Sequence, residues 1–136
     1  MKYFTLSELL KSDTALKHNL WNGAPKEAEE NLKALVEDVL DPLREAYGRP
    51  IRVTSGYRCP QLNRLVGGSP NSQHMRGEAA DIQPLKNEKS EAKNNLDELS
   101  QILIANGKFD QLIVYPTFIH VSYRRNGWNR RQVMHR

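Results

Sequence analysis

The segment Ser72-Gln73-His74-Met75-Arg76-Gly77-Glu78-Ala79-Ala80-Asp81-Ile82 sets an imidazole and a carboxylate at either end of a stretch rich in small residues. A neutral imidazole nitrogen and a carboxylate oxygen are donors that zinc accepts at about 2.0–2.2 Å. Gly77 permits a sharp turn, and Ala79 and Ala80 permit close backbone approach, so a loop carrying His74 can meet a strand carrying Asp81. Two ligands make a weak site, and His120 is the natural third. It lies in Ile119-His120-Val121-Ser122-Tyr123, whose strict alternation puts His120 and Ser122 on the face opposite Ile119, Val121 and Tyr123. Two His and one Asp leave a fourth tetrahedral position for water, the pattern of a catalytic site rather than a closed structural one. The blander reading is two hydrogen-bonded structural histidines and an aspartate that caps a turn. The one cysteine, Cys59, excludes an internal disulfide and a multi-thiolate zinc site.

These residues need a scaffold. Thr5-Leu6-Ser7-Glu8 reads as a capping box opening a short helix over 6–11. Pro25 suits a first helical position, and Leu32, Leu35, Val36, Val39, Leu40, Leu43 and Tyr47 recur at helical spacing up to Gly48, with Pro42 expected to kink or divide the helix. Ile51 to Thr54 has strand character, Pro60 to Val66 reads as a short helix stopped by Gly67-Gly68, and Ala79 to Gln83 as a strand. Ser90 to Asn106 is helical, with Leu96, Leu99, Ile102 and Leu103 on one face and Gly107 as its stop. Phe109 to Tyr115 and Ile119 to Tyr123 form a hairpin turned at Pro116-Thr117-Phe118. The expected fold is α+β: a small, mainly antiparallel sheet with helices packed on it, in a single domain.

At 136 residues, 38 % hydrophobic and 26 % charged, the chain has the composition of one folded domain. No stretch reaches the ~18 apolar residues of a membrane span, and the start lacks the apolar run of a secretory signal, so synthesis in the cytoplasm is expected. Arg124, Arg125, Arg130, Arg131 and Arg136 supply five positive charges, and a whole-chain net charge of +4 leaves residues 1–123 at a net −1. The division expected is therefore a domain over 1–123 and a basic C-terminal tail over 124–136. The tail offers weak polyanion contact, or is simply a solubilising, partly frayed end. A body without a basic stripe argues against specific nucleic-acid binding. His18 and His135 are expected to face solvent, and Trp21 and Trp128 to pack on the domain or its rim.

In their order along the chain, S-G-Y-R at Ser55 to Arg58, H-x-x-G-x-A-x-D at His74, Gly77, Ala79 and Asp81, F-D-Q-L-I at Phe109 to Ile113 and H-V-S-Y at His120 to Tyr123 resemble the D-alanyl-D-alanine carboxypeptidase-like zinc peptidases, a group that includes phage-type peptidoglycan endopeptidases. The resemblance runs from Phe4 to about Arg124, and the His-to-Asp block is its most specific part. It implies Zn2+ held by His74, Asp81 and His120, a substrate-contacting Ser72, and an Arg58 that binds the substrate carbonyl and steadies the oxyanion. A fixed guanidinium so placed stabilises the transition state more than the substrate.

One position departs from that pattern. Three residues before the second ligand histidine the better-known members carry an acidic general base; here Thr117 stands there, and a threonine does not accept a proton at neutral pH. By motif position the nearby carboxylates are Asp110 and Glu78, and Asp110 is the candidate catalytic group. Tyr115 is the candidate to orient the substrate or support the oxyanion. The resemblance thus implies a monomeric zinc peptidase hydrolysing peptidoglycan peptide bonds near D-alanine, as carboxypeptidase or endopeptidase. It implies a cell-wall lysis or remodelling enzyme, of phage or host, released to the wall by a separate lysis or export system. The alternative is a catalytically impaired metal-binding module that recognises cell-wall peptides.

Overall fold

The computed structural model describes residues 1–85 and 92–136. Its helices are α1 (Leu6–Leu10), α2 (Asp13–Lys17), α3 (Lys26–Leu35), α4 (Asp41–Tyr47), α5 (Pro60–Leu65) and α6 (Ala92–Asn106). Its strands are β1 (Ile51–Ser55), β2 (Ala79–Pro84), β3 (Gln111–Val114), β4 (Ile119–Ser122) and β5 (Gln132–His135), in the sheet order β1-β2-β4-β3-β5. Every pairing is antiparallel except β3 with β5. The fold is α+β, as the sequence implies. The expected helix start at Ser90 lies outside the described residues, among which no helix is long and apolar enough to cross a membrane.

The capping box at Thr5 forms: its hydroxyl accepts from the Glu8 amide at 3.2 Å while the Glu8 carboxylate accepts from the Thr5 amide at 3.1 Å. Pro25 is the residue just before α3 rather than its first residue. Pro42 does not break the long helix. Lacking an N–H, it cannot continue the ladder, and the chain accommodates this with a π-helical turn over Val36–Leu40, after which α4 runs on to Gly48 in the left-handed region. Leu32, Leu35, Val36, Val39, Leu40 and Leu43 all face inward, at most 1 % exposed. Together with Leu96, Leu99 and Leu103 of α6 they cover one face of the sheet, supplied by Ala80, Ile82, Leu112, Val114, Ile119 and Val121. Burying so many large aliphatic side chains, each worth about 1.5–3 kcal/mol, is the main force holding helices to sheet.

Strand alternation then dictates the opposite face. With Ala80 and Ile82 committed to the core, Asp81 points away; with Ile119 and Val121 committed, so does His120. The β2–β4 register pairs Asp81 directly with His120. Hydrophobic patterning therefore places two of the candidate metal ligands side by side.

The arginine-rich end differs from a frayed tail. Residues 132–135 form β5 beside β3, with Gln111 paired to Gln132 and Val114 to His135. Trp21 and Trp128 differ too: they are 87 % and 78 % exposed. Trp21 sits in the loop before α3, over the bare Cα of Gly23, and Trp128 in the turn before β5, both beyond the reach of the core.

Candidate metal centre

His74 arrives on a 3₁₀ turn, Gln73–Arg76, in the connection between α5 and β2. Ser72 caps the turn, its Oγ accepting from the His74 amide at 3.2 Å. Gly77 ends it at φ +73°, and a Cβ there would overlap the carbonyl of Ala28 in α3, so both backbone conformation and space require glycine. The buried His74 ring meets the site edge-on: its centroid is 5.2 Å from that of His120, with the planes at 62°.

The donor atoms converge. His74 Nε2 lies 3.3 Å and His120 Nδ1 3.0 Å from the same Asp81 Oδ1, and the ligand atoms of all three residues lie within 4.8 Å of one another. Bonds of about 2.0–2.1 Å at a tetrahedral angle would separate two ligand atoms by about 3.3 Å. Proton positions make the fit sharper. His74 Nδ1 is 2.7 Å from the Gly56 carbonyl, which can only accept, so this nitrogen carries a proton and Nε2 is the ring atom turned toward the site. A ring nitrogen this close to a carboxylate oxygen needs positive charge between them, supplied by a proton or by a metal ion. Burial works to raise the Asp81 pKa, but hydrogen bonds from His120 and His74 and the charge of both rings outweigh it, holding the carboxyl well below the usual range and ionised.

The trio opens into a cleft of about 610 Å³ that is also lined by Arg58, Ser72 and Tyr115. Arg58 is half-buried, donates from Nη2 to Ser72 Oγ at 3.1 Å, and anchors its own amide on the His74 carbonyl at 3.0 Å. Desolvation lowers its pKa, opposed by the Asp81 charge, and a guanidinium so placed stays cationic. Tyr115 stacks on Phe118 with centroids 4.4 Å apart and planes 9° from parallel, closing the β3–β4 turn beside the cleft. Ser72 thus both shapes the turn that carries His74 and lies at the cleft surface.

The family model described as Peptidase M15 matches residues 2–122 of this chain. The chain belongs to the Peptidase M15 family. A more local likeness is to a zinc D-Ala-D-Ala carboxypeptidase of Streptomyces albus G, 48 % identical over 44 residues, which cover 32 % of this chain and 17 % of that protein. The match therefore spans well under two thirds of the relative's length.

Within this M15 domain Asp110, the candidate catalytic group by its place in the sequence, lies outside the cleft lining. It is fully buried and its oxygens are occupied: Oδ1 accepts from the Arg130 amide at 2.9 Å and from Arg130 Nε at 3.1 Å, and Oδ2 from Arg130 Nη2 at 2.9 Å. Burial would raise its pKa, but the hydrogen bonds and charge of Arg130, with Arg124 3.6 Å away, hold it below the usual range. A carboxylate so neutralised is a poor proton acceptor. Glu78 is no substitute, being paired with Arg76 Nε at 2.8 Å and lying outside the cleft lining. Thr117 is exposed and also lies outside it. Among the described residues, Asp81 is the only carboxylate that lines the cleft.

Asn22 escaped the sequence reading, because Trp21-Asn22-Gly23 signals only a turn. Its Oδ1 accepts from the Cys59 amide at 2.8 Å, and its Nδ2 donates to the Tyr57 carbonyl at 2.9 Å and the Leu10 carbonyl at 3.0 Å. The backbone on both sides of Arg58 is thereby clamped by one amide side chain. Asn22→Ala is expected to destabilise the fold by about 1–3 kcal/mol, the usual cost of orphaned partners. Asn22→Asp should do much the same, since a carboxylate cannot donate to two carbonyls. Thermal unfolding measures the loss, and metal content, set by residues the clamp does not touch, should stay at the wild-type level.

Proposed function

We propose that this chain is a zinc-dependent peptidase acting on peptidoglycan, cutting stem peptides next to D-alanine, with His74, Asp81 and His120 as its metal ligands. The carrying observation is the convergence of two imidazole nitrogens and one carboxylate oxygen, all within 4.8 Å of one another, in an open cleft. Membership of the M15 family and the activity for which the Streptomyces albus G relative is named support the substrate class.

When bound, zinc supplies an activated water and a polarised carbonyl. The chain's own residues do the rest. Gly56 fixes the His74 tautomer; Asp81 stays ionised between the rings; Arg58, preset by Ser72, meets negative charge as it develops on the substrate carbonyl oxygen. Ser72 and Tyr115 border the peptide. Among the described residues Asp81 is the one carboxylate that lines the cleft.

That same feature favours a second reading, a module that binds metal and wall peptides without turning them over. Incubating the zinc-loaded protein with purified peptidoglycan separates the two. Release of D-alanine marks a carboxypeptidase, and new amino groups without D-alanine mark an endopeptidase. Neither product, with zinc bound and wall peptides retained, overturns the peptidase reading in favour of the module.

A further inference from the structure

Among the described residues, four arginines line the cleft, Arg58, Arg76, Arg124 and Arg130, against the single carboxylate of Asp81. Two of them have local tasks: Arg58 is tied to Ser72, and the Nε of Arg76 is held by Glu78. Arg124 and Arg130 share one buried anion, Asp110. Arg130 grips it with Nε and Nη2, while Arg124 approaches with Nε at 3.6 Å. One negative charge between two guanidiniums leaves the trio with a net positive charge, and the two side chains remain 40 % and 42 % exposed at the cleft.

The frame behind them is firm. The Asp110 amide donates to the Ser122 carbonyl at 2.7 Å, and its carbonyl accepts from the Gln132 amide at 3.0 Å, which ties the end of β4 to the start of β5. Asn129 closes the connection between them, accepting from the Arg124 amide at 2.9 Å and donating to its carbonyl at 3.2 Å. Arg124 follows His120 by four residues, at most about 13 Å of chain at about 3.3 Å per residue, within the reach of a short peptide. A planar fork of N–H donors, preset by a buried partner, suits a carboxylate.

We infer that Arg124 and Arg130 form an anion subsite that takes a free carboxylate of the substrate peptide. The inference rests on the peptidase reading of the cleft and adds a selectivity to it: acidic peptides over their amidated counterparts. The carboxylate can belong to an internal acidic residue or to the peptide's C-terminus.

Three synthetic peptides ending in D-Ala-D-Ala test this: one with both carboxylates free, one with the internal acid amidated, one with the C-terminus amidated. Affinities are measured by calorimetry on the metal-free protein, and kcat and KM on the zinc form. One of the two amides is expected to bind about tenfold more weakly than the free acid, and which one it is names the source of the carboxylate. Arg124→Gln should erase that difference through KM while kcat holds, and Arg130→Lys, which keeps a charge on Asp110, should reduce it. Equal affinities for all three peptides, or a preference that survives in Arg124→Gln, would overturn the subsite. If Arg124→Gln fails to fold, the wild-type comparison alone decides. Failure of the peptidase reading shows differently, as absence of turnover for every peptide, and the affinities then still judge the subsite.

Discussion

His120→Ala is expected to remove zinc and hydrolysis together, and His74→Ala to do the same with an added loss of stability. Each leaves one imidazole and one carboxylate, too few donors for a four-coordinate site with one position open to solvent. His74 is 2 % exposed and its Nδ1 satisfies the Gly56 carbonyl, so truncation also empties a buried space and strands that carbonyl. His120 sits nearer the surface, its side chain 15 % exposed, and is the cleaner variant. The measurement is zinc content beside melting temperature with and without added zinc. Zinc at a hundredfold excess over its Kd should stabilise the native protein by about 2.7 kcal/mol. The His120→Ala melting curve should stay where it is. A variant that keeps stoichiometric zinc, or keeps hydrolysing, would remove these residues from the ligand set.

The site was legible where chemistry and periodicity coincide. His120 alternates with Ile119 and Val121, so the demand that two β-branched residues enter the core also turns the imidazole outward. Ala79 and Ala80 precede Asp81 for a related reason: both are fully buried, and Ala80 packs in the core. What stayed hidden depends on partners distant in sequence. Nothing local in Phe109-Asp110-Gln111 announces that Arg130, twenty residues on, will take both carboxylate oxygens, and so a structural acid passed for a catalytic one. The same pair explains β5. Gln132-Val133-Met134-His135 is short, largely exposed and flanked by arginines, with no periodic signal of its own, and it becomes a strand because the edge of β3 and the anchored Arg130 hold it there. Helix α2 was missed because its five residues bury only Ala15. The π turn marks a third limit. Pro42 predicts a break from local geometry, while the apolar stripe on either side favours one continuous buried surface, and a single widened turn meets both demands.

Arg58→Gln is expected to lower kcat by about 10²–10³ with zinc content unchanged, the loss typical of removing one fixed oxyanion donor. The magnitude follows from how Arg58 is held. Its backbone is pinned at the His74 carbonyl and clamped on both sides by Asn22, and its Nη2 is set by Ser72, so little reorganisation remains when charge builds on the substrate. Half-burial weakens solvent screening and strengthens whatever the guanidinium meets. Its distribution over kcat and KM identifies the role. A donor that acts only as the oxyanion forms lowers kcat and kcat/KM together, whereas one that merely holds ground-state peptide raises KM and leaves kcat alone. Arg58→Lys should recover only part of the rate, since an ammonium keeps the charge but loses the planar fork that reaches Ser72 and substrate at once. Added guanidinium ion should restore part of the turnover in Arg58→Ala, where truncation opens room for it, and should do nothing for His120→Ala. A rate unchanged in Arg58→Gln would assign Arg58 to structure and leave oxyanion stabilisation to the metal alone.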